Sequence, residues 1–191
     1  RQSSVEFTIS HEKDTILGSG GGIVYARDFL ARDDVFCVSN AEPLRVCRLK
    51  PLADMFVESG AVCGLVCVPE TRKPTVFAHA HSLRYAGTTA DDLSDSAVDG
   101  YAFIGITFFR RHIFDLFNEN DFSVVPVWRR AAESGDGAVI VPAPRDCWWR
   151  NIGTPSELAR VHFDCTCRDD ILPMPEWLTR DTRQRIVCHH A

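Results

Sequence analysis

Apolar positions along the chain fall into short continuous runs, separated by stretches of helical period. Residues 5–9 (Val, Glu, Phe, Thr, Ile) predict a strand, being rich in β-branched and aromatic side chains. A glycine-rich turn covers residues 17–22, and a helix over 23–30 follows from the spacing of Ile23, Ala26, Arg27 and Leu30. Residues 35–39, bounded by Asp33-Asp34 and Asn40, suit a buried parallel strand. A helix over 52–59 is stopped by Gly60, and 61–68 is a second buried strand closed by Pro69. Further strands are expected at 75–79 and 101–109, a polar loop at 87–98, and helices at 111–117 and 124–133, with Pro126 tolerated in a first turn. Residues 138–141 and 147–149 are short extended pieces. Thr154 as N-cap, Pro155 at the first helical position and Glu157 completing a capping box start a last helix. The pattern breaks beyond about Phe163, where Pro173 and Pro175 predict a loose extension. Strands alternating with helices imply an α/β fold with a mostly parallel sheet, residues 1–163 forming the domain and 164–191 the extension.

Composition narrows the function classes. Of 191 residues, 45% are hydrophobic and 25% charged, which excludes disorder and a long coiled coil. No stretch approaches the roughly 20 apolar residues of a membrane helix. With a net charge of −5 and no dense Lys/Arg cluster, a nucleic-acid partner is not expected; Arg129-Arg130 and the spaced Arg180, Arg183 and Arg185 are too sparse. The expectation is a soluble, cytoplasmic protein. The opening at Arg1, almost directly before an extended run, suggests a piece cut from a longer chain. Eight cysteines in a chain of this size do not imply a disulfide framework; Cys37, Cys63 and Cys67 lie in apolar runs and are expected as reduced core thiols.

Three places offer chemistry. Gly18, Gly20, Gly21 and Gly22 let a backbone approach something flat or anionic before a helix amino end, or simply form a tight turn. Glu42 follows a buried strand, where open α/β sheets place ligands, but by itself it reads first as an ordinary solvated glutamate before Pro43. Asn151 stands between a strand and the capped helix at Thr154. In the tail, Cys165, Cys167, Cys188, His189 and His190 include zinc-ligand types, but C-x-C is tighter than the usual spacing and a bland tail is the better reading. His79 and His81 are read as packing residues.

Taken in order, these segments resemble the bacterial-type sugar-1-phosphate nucleotidyltransferases. Leu17-Gly18-Ser19-Gly20-Gly21-Gly22-Ile23 is similar to that family's L-G-T-G-G-G-I, and Phe36-Cys37-Val38-Ser39-Asn40-Ala41-Glu42 to its F-x-V-x-N-G-D. Phe103-Ile104-Gly105-Ile106 looks like F-x-G-I. The run from Phe122 to Ala131 resembles F-S-L-V-P-L-L-R-R-A, and that from Trp149 to Leu158 resembles W-x-D-I-G-T-P-E-x-L. The match extends over about residues 5–161. It is nearest to the mannose-1-phosphate guanylyltransferase and N-acetylmuramate-1-phosphate uridylyltransferase subgroup. The resemblance implies a Rossmann-like nucleotide-diphospho-sugar transferase fold and transfer of a nucleotidyl group from a nucleoside triphosphate to a sugar 1-phosphate. It assigns Ser19, Gly20, Gly21 and Gly22 to the nucleotide, Phe103 and Gly105 to the sugar, and Glu42 and Asn151 to a Mg²⁺ ion.

The chain also departs from the family. The amino-terminal G-x-G-T-R…P-K-P segment that grips the triphosphate is not found in these 191 residues. Glu42 replaces an aspartate, lengthening the arm by about 1.5 Å, and Asn151 replaces the second aspartate. One negative charge remains where the family has two, with Arg150 next to it, so weak Mg²⁺ binding and weak or absent catalysis by this chain alone are expected. The alternative is a non-catalytic fragment or paralogue that binds a nucleotide-sugar or a protein partner.

Overall fold

The computed structural model describes residues 6–13, 15–86, 98–135, 137–167, 178–181 and 186–189. In chain order the elements are α1 (Gly18–Tyr25), α2 (Arg27–Leu30), β1 (Val35–Ser39), β2 (Leu44–Val46), α3 (Leu49–Ser59), β3 (Cys63–Pro69), β4 (Val76–His79), β5 (Ser82–Ala86) and β6 (Asp99–Arg110). A 3₁₀ turn (Arg111–Leu116) leads to α4 (Val125–Glu133), β7 (Ala138–Pro142), β8 (Trp148–Arg150), α5 (Pro155–Cys167), β9 (Leu178–Asp181) and β10 (Ile186–His189).

Six strands form the main sheet in the order β1-β6-β3-β7-β5-β4, and β4 also pairs with β6. That last pairing closes β6, β3, β7, β5 and β4 into a ring. The mostly parallel sheet expected from the sequence is corrected: among the described strands only β3–β7 is parallel, and the other pairings are antiparallel. The reason lies in the insertion of β6. Strands β1, β3 and β7 run in one direction, as strand–helix–strand crossovers require. The long β6 then enters between β1 and β3 from the opposite direction. Two small antiparallel ribbons complete the picture, β2 with β8 and β9 with β10.

Each face of the sheet carries its own apolar cluster. Ile23 of α1 and Val127, Trp128 and Ala131 of α4 cover one face, against Phe36, Leu65, Cys67 and Phe109. Leu52 and Phe56 of α3 cover the other, against Val66, Ile104, Ile106 and Phe108. Strand β3 is buried on both sides, which explains its unbroken apolar sequence. Helix α3 begins three residues before its expected start, because Pro51 is tolerated in a first turn. It ends at Gly60, whose φ of +71° is the left-handed C-cap.

Several local expectations change. Residues 6–9 form no strand, and Phe7 and Ile9 are 85% and 89% exposed. The glycine run opens α1 itself rather than forming a loop before it. Helix α5 continues through Phe163 to Cys167, past the point where the sequence pattern breaks. Its start follows the sequence: the Glu157 N–H donates to Thr154 Oγ1 (3.2 Å), whose hydroxyl donates to Glu157 Oε2 (2.8 Å). Residues 87–97 of the expected polar loop, and the side chains of Cys167, Cys188, His189 and His190, lie outside the described part.

The cysteines also divide differently. Cys63 and Cys67 are buried free thiols, but Cys37 is exposed, because β1 is not covered on both faces. Cys47 and Cys147 form a disulfide, with Cα atoms 4.7 Å apart and a sequence separation of 100. Linear reading pairs no cysteines; the β2–β8 ribbon brings these two opposite each other. In the chain-entropy account a loop of this length is worth about 4.7 kcal/mol.

Two measurable consequences follow from the strands. The β4–β5 turn places Ala80 (φ +46°) and His81 (φ +67°) in left-handed backbone, where hairpins favour Asn-Gly. His81→Gly should therefore stabilise the chain by about 0.5–1 kcal/mol in urea unfolding. Burial pushes the Cys63 and Cys67 thiols well above their ordinary value of 9.0. The folded state thus holds these protons more tightly than the unfolded state, whose thiols ionise near 9.0. Stability should be flat below that pH and fall as pH rises beyond it. Thermal unfolding between pH 7 and 10.5 reads this directly, and the decline should shrink in Cys67→Ala.

Candidate functional site

Between the α1/α4 layer and the sheet lies a cavity of about 400 Å³. Its floor is the face of β6 bearing Phe103, Thr107 and Phe109, with Val38 of β1 beside it and Thr75 and Val76 at the start of β4. Its roof is Ser19 and Ile23 of α1 with Val124, Val125 and Trp128 at α4, and Asn40 stands after β1. Phe103 meets Trp128 edge-on, their ring centroids 5.0 Å apart. None of these lining residues is charged. Thr107 is a buried polar group, 3% exposed.

The glycines of α1 are explained by what they pack against. A Cβ at Gly20 would lie 2.2 Å from the Asp121 carbonyl oxygen, and one at Gly18 would lie 2.3 Å from that of Phe122. The Gly20 N–H donates to Phe122 O (2.9 Å), and the Val124 N–H donates to Ser19 Oγ (3.1 Å). The 121–123 segment is in turn held by an Arg130–Asp121 ion pair and by Arg130 Nε donating to Leu116 O (2.7 Å). The amino end of α1, expected to favour an anionic ligand, already has an anion. Glu12 Oε2 accepts the Leu17 N–H at 2.7 Å.

Gly105 occupies a bulge. Between Leu65↔Thr107 and Cys67↔Phe103, β6 uses two more residues than β3, and Gly105 lies at the centre with φ +84°. The bulged carbonyls are satisfied by Arg45. Its Nη1 donates to Ile104 O (2.8 Å) and Gly105 O (3.2 Å), and its Nη2 donates to Asn40 O (2.7 Å) and to Ser39 Oγ. The Asn40 N–H also donates to Gly105 O at 2.8 Å. Burial lowers the Arg45 pKa from its ordinary value, and four of its five N–H groups are spent on these contacts. Arg45 is a structural clasp, not a free phosphate ligand.

The β2–β8 ribbon brings the two predicted metal-site residues to one end of the fold. Leu44 pairs with Arg150, so the strand register continues to Pro43 and Asn151, with Glu42 one residue further. Both Glu42 and Asn151 are exposed. Asn151 Oδ1 accepts the Gly153 N–H (3.2 Å), shaping the turn into α5. This donor set does not fit a resident Mg²⁺ ion: it offers one exposed carboxylate and one amide whose oxygen is already engaged, and among the described residues no cluster of three His, Cys, Asp or Glu side chains suits a metal.

Of the eight predicted site residues, Ser19 and Phe103 line the cavity. Gly20 is buried under residues 121–123. Gly21 borders a smaller hollow with Leu17, Val24 and Tyr25, and a Cβ at Gly22 would lie 3.0 Å from Glu12 Oε1. Gly105 lies beneath Arg45, Pro43 and the lining residue Asn40 and does not itself line the cavity. Linear reading missed Asn40, Thr75, Thr107 and Trp128 as lining residues, and Arg45 as the clasp. Asn40 and Trp128 lie inside the segments 36–42 and 122–131 that carry the resemblance; Thr75, Thr107 and Arg45 have no local signal.

Comparison with known proteins adds the fold's relatives. No family model and no curated protein matches the sequence. Solved structures do match in three dimensions. A putative glucose-1-phosphate thymidylyltransferase from Bacillus anthracis superposes with a TM-score of 0.65 at 13% identity, over 86% of this chain and 65% of that one. A UTP-bound UGPase from Acinetobacter baumannii gives 0.60 at 13%, over 76% and 55%. The inositol-1-phosphate CTP transferase from T. maritima gives 0.59 at 14%, over 78% and 62%. The chain has a sugar-1-phosphate nucleotidyltransferase-type fold. It spans 55–65% of the length of these neighbours. Among the described residues no helix is long and apolar enough to cross a membrane.

The glycine of the Phe103–Ile106 segment thus has a packing explanation in this chain, which can be measured. An added Cβ at Gly105 would lie 2.5 Å from Arg45 Nη1 and 2.9 Å from Pro43 Cγ, in left-handed backbone. Gly105→Ala should cost about 2–4 kcal/mol in chemical denaturation. In hydrogen exchange it should also unprotect the Asn40 amide.

Proposed function

We propose that this chain is the sugar-holding part of a sugar-1-phosphate nucleotidyltransferase. In the reaction, a phosphate oxygen of the sugar 1-phosphate attacks the α-phosphorus of a nucleoside triphosphate. A new P–O bond forms, the α–β bridge breaks, and pyrophosphate leaves with the nucleotide-sugar as product. The observation behind this reading is the uncharged cavity that joins Ser19, Asn40, Phe103, Thr107 and Trp128 within a fold of this type. An uncharged, aromatic-walled space suits a neutral sugar ring, with its hydroxyls at Ser19, Asn40 and Thr107 and its apolar face on Phe103 and Trp128. The phosphates then lie outside, toward the turn bearing Glu42. The neighbours' names, and the UTP bound to one of them, support the substrate kinds.

Turnover by these 191 residues alone is weak in this reading. Catalysis of such transfers is mostly positioning, and no G-x-G-T-R…P-K-P segment is present to position the triphosphate. The net charge of −5 fits a chain without nucleic-acid partners.

Calorimetry with UTP, GTP, UDP-glucose and GDP-mannose tests the cavity. A nucleotide-sugar should bind, and Phe103→Ala should weaken it about tenfold, or about 1.4 kcal/mol. Binding by none of the four, or equal binding by Phe103→Ala, overturns the proposal. For the metal, Asn151→Asp keeps an oxygen for the Gly153 N–H and adds a second, negative one. It should bind Mg²⁺ more tightly than the unmodified chain while pyrophosphate release stays undetectable in both. Robust turnover by the unmodified chain would remove the positioning argument.

A further inference from the structure

The β2–β8 ribbon consists of three opposed pairs, Leu44↔Arg150, Arg45↔Trp149 and Val46↔Trp148, and it forms its own two-stranded sheet. A two-stranded unit this short is marginal alone. One of its strands is well anchored, since Arg45 is bonded into the β6 bulge. The other has less. Trp149 packs partly against the core, and Arg150 Nε reaches Asp164 Oδ2 of α5 at 3.1 Å in a solvent-exposed contact of small worth. The Cys47–Cys147 disulfide closes the ribbon at the step beyond Val46↔Trp148. At the ribbon's other end the register leads to Glu42 and Asn151.

We propose that this disulfide is a redox clamp on the candidate site. Oxidised, it holds β8, Asn151 and the amino end of α5 in register with the turn bearing Asn40 and Glu42. A dithiol reductant supplies two electrons and two protons; the S–S bond breaks to two thiols, and the reductant becomes its own disulfide. Both cysteines are half-buried rather than enclosed, so a small dithiol has access. With the bond open, β8 keeps three ribbon pairs and the Asp164 contact, and the site end loosens. The ligand arm of this inference rests on the function proposed above; the clamp itself does not.

The native chain is equilibrated in reduced and oxidised dithiothreitol, alkylated and mapped by mass spectrometry, with hydrogen exchange measured on the same samples. Cys47 and Cys147 should become alkylated together and only on the reducing side, while Cys63 and Cys67 stay unlabelled. Exchange at residues 44–46 and 148–152 should speed up about tenfold or more on reduction, with β3 unchanged. Cys147→Ser should behave as the reduced chain under both conditions. Free thiols at 47 and 147 in the oxidised chain, or exchange indifferent to reduction, overturn the clamp. UDP-glucose and GDP-mannose should bind more weakly to the reduced chain and to Cys147→Ser. A redox-sensitive ribbon that binds neither probe in either state upholds the clamp and overturns the nucleotide-sugar reading. A bound probe with redox-indifferent exchange does the reverse.

Discussion

The bulge at Gly105 is the constraint on which the rest of the fold depends. Two surplus residues bend β6, so that its first part pairs with β4 and its last part with β1, while β3 follows the opposite edge. The ring of strands closes because of that bend. A bulge leaves carbonyls without ladder partners, which is costly in a buried strand. The Arg45 guanidinium answers that cost by bonding the Ile104 and Gly105 carbonyls directly. The requirement for no side chain at residue 105 follows, since Arg45, Pro43 and Asn40 fill that space.

From this clasp the site is built outward. Arg45 also binds the Asn40 carbonyl, setting where the turn after β1 emerges beside the cavity. Across the cavity, α1 is fixed by a second device, in which the Arg130–Asp121 pair braces residues 121–123 and the glycines of α1 close onto them. Charges thus ring the cavity in structural roles while its lining stays neutral. Among the described residues, the indole Nε1 atoms of Trp128 at the cavity and Trp148 in the ribbon are buried without a protein hydrogen-bond partner.

The two sides of the candidate site differ in how firmly they are held. The cavity belongs to the sheet and the apolar cluster of its α1/α4 face, so it loosens only with that core. The Glu42–Asn151 end belongs to a three-pair ribbon outside the main sheet, secured by one covalent bond. Local unfolding starts where few buried contacts must be broken. The site therefore joins a rigid neutral pocket to an adjustable polar edge.

Much of the fold was legible in linear sequence. Strands β1, β3 and β7 and helices α3, α4 and α5 were marked by apolar period, by Gly60, and by the Thr154–Glu157 start, because these signals act within one turn or one strand of chain. Ser19 and Phe103 stood in motifs and do line the cavity. Strand direction was not legible: alternating strands and helices indicate that β1, β3 and β7 are codirectional, but not that β6 enters between two of them. The role of Gly105 was hidden because Arg45, 60 residues away, defines it. The Cys47–Cys147 bond was hidden because no local pattern pairs residues 100 apart. Short-range physics is written in adjacent residues, whereas a bulge, a clasp or a disulfide exists only once distant segments have been brought into register.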